Sequence, residues 1–304
     1  MVVFEVIVSI ICVLVVAMAI VAIAKKPSSV YQDDPSQRNP VEGRKVRFIE
    51  DQDEPLNADG VRGHLVAVGE CDSKRSFYDR IWKRAIDLIL SLFALIILSP
   101  LYLVIFLAIW IDDPGPVFFA QKRVGRNKRY FRLHKFRSMK MSTPHDVPTH
   151  MLENPEQYIT RVGRFLRKSS LDELPQIGDI IVGNMSIIGP RPALWNQDLL
   201  VAERDRYNAN DITPGLTGWA QINGRDELEI PIKAKLDGEY TKRLLAGGFK
   251  AFFFDCRCFF GTLTSVVQGR GVVEGGTGTF KKHTNPIKKN DGATVFPEDD
   301  YQIK

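Results

Sequence analysis

Residues 85–111 read AIDLILSLFALIILSPLYLVIFLAIWI, an apolar run whose one charged side chain is Asp87 and whose middle carries Ser99-Pro100. As a helix rising ~1.5 Å per residue it exceeds the ~30 Å of a bilayer core. Proline removes a backbone donor and crowds the preceding turn, so a kink or break belongs at Pro100. Arg80, Lys83 and Arg84 precede the run. Lys122, Arg123, Arg126, Lys128, Arg129, Arg132, Lys135, Arg137 and Lys140 follow it with no acid among them. Basic flanks stay cytoplasmic, so a simple span would leave one cluster on the wrong face. We therefore expect residues 80–112 to form a re-entrant membrane helix, broken at Ser99-Pro100, with Ser99 available to bond a released carbonyl. An ordinary kinked span is the simpler alternative.

Working outward, residues 6–24 carry no charge and end at Lys25-Lys26, which makes 1–26 an N-terminal transmembrane helix with its C-terminal end in the cytoplasm. A cleaved signal peptide ending at Ala22-Ile23-Ala24 competes with this, but Glu5 sits where a positive leader is expected. Residues 27–79 read as a polar linker with acidic patches, in which 46–49 and 64–68 suit a small hairpin. Beyond the turn Asp112-Asp113-Pro114-Gly115-Pro116, residues 113–280 form the main domain. It holds β-rich stretches at 117–120 and 130–133 and a helix over 155–168 with Arg161, Arg164 and Arg167 on one face. A phenylalanine-rich helix over 248–267 suits the membrane interface and a core equally. Residues 281–304 read as a mobile polar tail. The fold class expected is α+β, mainly helical.

A length of 304 residues with 44% hydrophobic content supports a sizeable core, and a net charge of +5 is too modest to imply nucleic acid. The basic run is either a solvated face or a surface for anionic headgroups and phosphorylated ligands. Its place directly after the apolar segment favours the second. Cys12, Cys71, Cys256 and Cys258 match neither a disulfide framework nor a zinc pattern; Cys12 in its apolar run and Cys256-x-Cys258 among phenylalanines read as small hydrophobes in a reducing compartment. His145 and His150 flank Asp146 without a third near ligand, so they do not define a metal site.

Chemistry concentrates in Lys168-Ser169-Ser170-Leu171-Asp172-Glu173-Leu174-Pro175-Gln176, followed by Gly183-Asn184-Met185-Ser186-Ile187-Ile188-Gly189-Pro190-Arg191-Pro192. Two adjacent carboxylates sit among arginines, and an ionised Asp beside a phosphate-binding cluster can attack phosphorus. A bland alternative exists: Ser170 and Glu173 fit a capping box, with both acids favouring a helix dipole.

Taken in order, the interrupted apolar helix, Pro114-Gly115-Pro116-Val117-Phe118-Phe119, Lys135-Phe136-Arg137-Ser138-Met139, Asp172-Glu173, Gly189-Pro190-Arg191-Pro192 and Pro214-Gly215-Leu216-Thr217-Gly218-Trp219-Ala220-Gln221-Ile222-Asn223-Gly224-Arg225 resemble the bacterial monotopic phosphoglycosyl transferases. These are polyprenyl-phosphate sugar-1-phosphate transferases that open the assembly of surface glycans. The resemblance covers about residues 77–279. It implies a membrane-associated, monotopic-type catalytic domain on the cytoplasmic face of the bacterial inner membrane. It implies Asp172 as nucleophile, Glu173 as its assistant, Mg²⁺ held at both, and phosphate charge held by Arg191 and Arg167 with Lys135 and Arg137 behind them. The implied partners are a UDP-sugar donor, a polyprenyl (undecaprenyl) phosphate acceptor and membrane lipid, and the implied route is a phosphosugar-aspartate intermediate with release of UMP. The sugar and the oligomeric state stay open.

The rival reading is a non-enzymatic membrane scaffold that binds anionic lipid through the basic run and can dispense with Asp172. Asp51-Gln52-Asp53 is the one Asp-x-Asp, but it lacks the surrounding apolar strand a metal-dependent glycosyltransferase needs. The glycine-rich 269–279 stretch lacks the Gly-Lys-Ser/Thr of a P-loop.

Overall fold

The computed structural model describes residues 38–71, 74–143, 154–224, 228–267, 287–288 and 294–295. The N-terminal apolar segment, His145 and His150, Arg225 and nearly all of the tail lie outside them. Among the described residues the order opens with strands β1 (Arg44–Glu50) and β2 (Gly63–Glu70), followed by helix α1 (Lys83–Asp112). Next come β3 (Phe118–Val124), β4 (Tyr130–Phe136), α2 (Arg161–Lys168), α3 (Gln176–Val182), β5 (Ser186–Ile188), β6 (Ala193–Leu194) and α4 (Asp198–Asp205). β7 (Gly215–Thr217), α5 (Trp219–Ile222), α6 (Ile230–Ala246), α7 (Gly248–Val267), β8 (Ile287–Lys288) and β9 (Thr294–Val295) complete the order. The mixed helix and strand content bears out the α+β reading.

β1 and β2 form the antiparallel hairpin expected in the polar segment, and it is docked rather than loose. Val46 packs with Val124, Ala193, Leu200 and Val201, and its N–H donates to Asp205 Oδ2 at 2.8 Å. The fully buried Lys128 meets Asp205 at 2.9 Å, while Asn39 Nδ2 bonds the Lys128 carbonyl at 2.7 Å.

A π-helical turn at Tyr78–Trp82 leads into α1. Tyr78–Asp112 is, among the described residues, the one helix long and apolar enough to cross a bilayer. Lys83, Asp87, Ser91, Leu95, Ser99, Tyr102, Ile105 and Ile109 are buried, and their spacing of three or four puts them on one stripe. Ile89, Phe93, Ile97, Val104, Trp110 and Ile111 face outward. The first half of the stripe is polar, and its two charged groups, Lys83 and Asp87, are partnered. Lys83 Nζ lies 2.9 Å from Asp255 Oδ2, and Asp87 accepts from Ser186 Oγ at 2.7 Å and Ile187 N at 3.1 Å. Arg84 Nη2 donates to Ile181 O at 2.7 Å, satisfying a carbonyl near the end of α3. The second half packs on Val117, Phe136, Leu166 and Ile177.

The break expected at Ser99-Pro100 does not occur, because α1 stays helical through it. Pro100 has no N–H for Ile96 O, and Ser99 Oγ donates to that carbonyl at 2.7 Å instead. One local substitution of donors thus keeps the helix continuous.

β3 pairs antiparallel with β4 along its length and with β6 on its other edge, giving the order β4-β3-β6. The basic run is not one patch, because this hairpin deals its charges to different surroundings. Lys122 lies over the Tyr130 ring at 4.5 Å, Lys128 is buried, and Arg126 Nε donates to Asp211 O at 3.1 Å. The helix expected over 155–168 is split into a 3₁₀ turn at Pro155–Tyr158 and α2. Thr160 Oγ1 takes the Gly163 N–H at 2.8 Å and Asp112 Oδ2 takes that of Val162 at 3.0 Å, which fixes the start of α2.

β5 and β7 pair in parallel and bring the Gly189 and Gly215 motifs back to back. A Cβ on Gly215 would sit 2.1 Å from Gly189 N, so the two backbones meet only because both lack side chains. On α7, Ala251, Phe254 and Cys258 enter a core with Tyr78, Trp219 and Tyr240, while Phe249, Phe253 and Phe260 are exposed. The core reading of that helix therefore holds for one face, and the other presents phenylalanines outward. Cys258 is fully buried and packs as a small hydrophobe; Cys71, Cys256 and Cys258 are unbridged.

Removing the Ser99 hydroxyl leaves the Ile96 carbonyl without its donor. We expect Ser99→Ala to lower stability by about 1 kcal/mol, and Ser99→Ala combined with Pro100→Ala to recover it, since an alanine in place of the proline supplies a backbone N–H. Thermal unfolding in nanodiscs checks this; no recovery in the double variant refutes the exchange of donors.

Candidate active site

The carboxylate pair sits on a 3₁₀ turn, Leu171–Glu173, between α2 and α3. Ser170 reverses the chain with φ 56° and makes no side-chain cap, so the capping box does not form. Glu173 turns away from Ser170. Its Oε1 receives Lys135 Nζ at 2.9 Å, and Arg191 grips both its oxygens, with Nη1 at 3.3 Å from Oε2. Lys135 comes from β4 and Arg191 from the loop between β5 and β6. The structure thus gathers three separated motifs around one turn.

Asp172 is buried, and its ion-pair contact among the described residues is Lys135 Nζ at 3.7 Å. Burial, with help from Glu173, raises its carboxyl above the usual range despite Lys135, Arg167 and Arg191. Burial also works to raise Glu173, but Arg191 and Lys135 together hold it well below the usual range. The neighbours are therefore unlike: Glu173 is held ionised by two cations, whereas the Asp172 carboxyl is raised by burial.

Arg167, at the end of α2, donates from Nε to Ser138 Oγ at 2.8 Å. Gly163 makes that approach close, since a Cβ there would lie 2.0 Å from Ser138 O. Burial pushes the Arg167 guanidinium down, and Asp172 opposes the shift. Arg137 does not join the carboxylate pair. It is turned to Asp113 at the end of α1, with Nη1 3.2 Å from Oδ2, which gives it a structural tie.

Sequence reasoning missed Arg123 as a site residue. It stands on β3 beside the Arg191 loop, bonded to Pro192 O at 3.1 Å. The spacing Gln121-x-Arg123 was the available signal, because alternation puts both side chains on one face of the strand. It also missed Tyr102, whose hydroxyl bonds Leu174 O next to the carboxylate turn.

Mg²⁺ takes one or two carboxylates and fills its remaining positions with water and phosphate oxygens. Asp172 fits that demand. Glu173, with its oxygens already held by two cations, fits it less well.

A family model described as bacterial sugar transferase matches residues 78–269. The chain belongs to that family. It is 39% identical over 184 residues to the UDP-glucose:undecaprenyl-phosphate glucose-1-phosphate transferase of Escherichia coli K12, covering 56% of this chain and 38% of that protein. It is 35% identical over 204 residues to the exopolysaccharide production protein PSS of Rhizobium leguminosarum, covering 64% of this chain and 99% of that protein. With the UDP-N-acetylgalactosamine-undecaprenyl-phosphate N-acetylgalactosaminephosphotransferase of Aeromonas hydrophila it shares 34% over 198 residues, covering 62% of this chain and 44% of that protein. The chain thus spans well under half the length of the first of these relatives.

The two carboxyl shifts have opposite consequences for stability. Glu173, depressed in the fold, stabilises above its unfolded value and loses that contribution as pH falls through its lower folded value. Asp172, raised in the fold, costs stability once ionised. At pH ~7, where both ordinary carboxyls are ionised, we expect Asp172→Asn to raise the melting temperature. Glu173→Gln should lower stability by on the order of 1–3 kcal/mol. Calorimetry of both variants checks the signs, and equal destabilisation by the two refutes them.

Proposed function

We propose that the protein transfers a sugar-1-phosphate from a UDP-sugar to undecaprenyl phosphate through a phosphosugar carried on Asp172. The observation that carries this is the asymmetry of the pair: Glu173 is clamped by Lys135 and Arg191, while Asp172 is left less tightly held, 3.7 Å from Lys135 Nζ, among cations that attract phosphate. The relatives' names, which pair nucleotide sugars or undecaprenyl phosphate with sugar-phosphate transfer, support the same chemistry.

Asp172 Oδ attacks the β-phosphorus of the donor. The bond from that phosphorus to the oxygen bridging it to the α-phosphate breaks, and UMP leaves with the electron pair. A phosphate oxygen of the lipid then attacks the same phosphorus, Asp172 departs as carboxylate, and a polyprenyl diphosphosugar results. Arg191 and Lys135 hold phosphate charge while fixing Glu173, and Arg167 adds charge on the other side of Asp172. A bound Mg²⁺ held by Asp172 would supply charge neutralisation between carboxylate and diphosphate.

A soluble donor must meet a lipid acceptor, and α1 is suited to that meeting. Its outward face is apolar and both of its ends bond to the same domain, through Lys83 and Asp87 at one end and Asp112 and Asp113 at the other. This supports a monotopic seat on the cytoplasmic face of the bacterial inner membrane, with α1 held to the domain at both ends and the exposed phenylalanines of α7 at the interface. Residues 1–26 would add a transmembrane helix.

Asp172→Asn should abolish UMP release from a panel of UDP-sugars while leaving membrane association intact, and labelled donor alone should leave a phosphosugar adduct on the parent protein. Near-normal transfer by the Asn variant would sink the mechanism, and loss on removing basic residues with Asp172 dispensable would favour the lipid-binding scaffold.

Topology is tested separately. With the native cysteines replaced, single cysteines at the exposed positions Lys74 and Arg129 should both react only from the cytoplasmic side. Labelling of position 129 from outside means that α1 spans.

A further inference from the structure

Arg123 lies near the end of β3, opposite Leu194 of β6 in the strand register. Its Nη1 donates to Pro192 O at 3.1 Å, one residue past Arg191, and its Nη2 donates to Gln121 Oε1 at 2.7 Å. Both partners are neutral. Nε is buried with no hydrogen-bond partner, and the ion pairs of the site, Lys135 with Glu173 and Arg191 with Glu173, leave Arg123 out. Among the described residues it has no carboxylate within ion-pair distance.

A cation removed from water without a counter-ion is costly. Burial and then the neighbouring Arg191 charge push the Arg123 guanidinium down to about 9, with Glu173 opposing them. Holding the Pro192 carbonyl requires a donor but no charge, so a neutral amide would serve that task without the repulsion from Arg191. The charge is accounted for when an anion joins the two guanidiniums. Their planar forks match phosphate oxygens.

We propose that Arg123 is a second phosphate-binding guanidinium of this site, set beside Arg191 to hold the diphosphate of the nucleotide donor. This rests on the donor reading of the Asp172 site and adds to it a residue that binds through charge rather than one that reacts. Gln121 acts through Arg123, as the amide that holds the guanidinium in place without cancelling its charge.

The test uses the full chain in nanodiscs with Mg²⁺ and three probes: UDP, inorganic pyrophosphate and uridine. Arg123→Gln should weaken UDP and pyrophosphate binding roughly ten- to a hundredfold and leave uridine binding unchanged. Arg123→Lys should recover part of the loss, and the dependence of UDP affinity on salt should flatten in Arg123→Gln. Unchanged UDP affinity overturns the proposal, as does an equal loss for UDP and uridine or an equal fall in the Gln and Lys variants, all of which mark a residue that only ties down the Pro192 loop. UMP release by the parent protein is scored independently. Its absence defeats the donor reading, while pyrophosphate binding still decides whether Arg123 holds phosphate.

Discussion

An apolar helix stays against a polar domain only where its own polar groups find partners there, and the stability of this architecture depends on α1 meeting that condition at both ends. Lys83 and Asp87 lock its start to α7 and β5. Asp112 takes an N–H at the start of α2, and Asp113 holds Arg137 just beyond β4. Between these ties Tyr102 bonds the carbonyl of Leu174. The elements that flank Asp172 are therefore hung from one helix, so the depth of that helix in a lipid surface also sets the depth of the carboxylate pair.

The site then solves an electrostatic problem by unequal treatment of two neighbours. Two acids side by side in a buried turn repel, and each pushes the other toward protonation. Lys135 and Arg191 ease that conflict by pairing with Glu173, which leaves Asp172, 3.7 Å from Lys135 Nζ, the less tightly held carboxylate of the pair. The strand alternation that points Lys135 at the turn sends His134 the other way, onto Asp179 at 2.8 Å, and this second buried pair pins β4 to α3.

Much of this was legible in the sequence because it is local. Apolar alternation located the β1–β2 hairpin and the β3 and β4 strands, and the missing proline donor foretold the Ser99 bond to a released carbonyl. The carboxylate pair and Arg191 were visible as motifs. What was not legible is long-range: periodicity says which side of an element is buried but not which partner waits there. Hence the polar segment around Val46 read as a linker, although Asp205 and Lys128 bind it into the core. The basic run read as one surface, although strand pairing scatters it. The break at Pro100 was over-read because the Ser99 hydroxyl replaces the missing donor and Leu95, Tyr102 and Ile105 pack on the domain on both sides of it.

The sequence distance between α1 and its polar partners has a consequence for how the protein is made. Asp87 waits for Ser186, and Lys83 waits for Asp255, 172 residues later in the chain. At ~5–20 residues per second that interval lasts roughly 10–30 s. Until those residues are made, the growing chain carries a long apolar helix whose stripe holds a lysine and an aspartate without their partners from the domain. Those two charges are costly to leave in an apolar surrounding until the domain closes over them, so the groups that tie the start of the helix down are also among the last of its contacts to be satisfied.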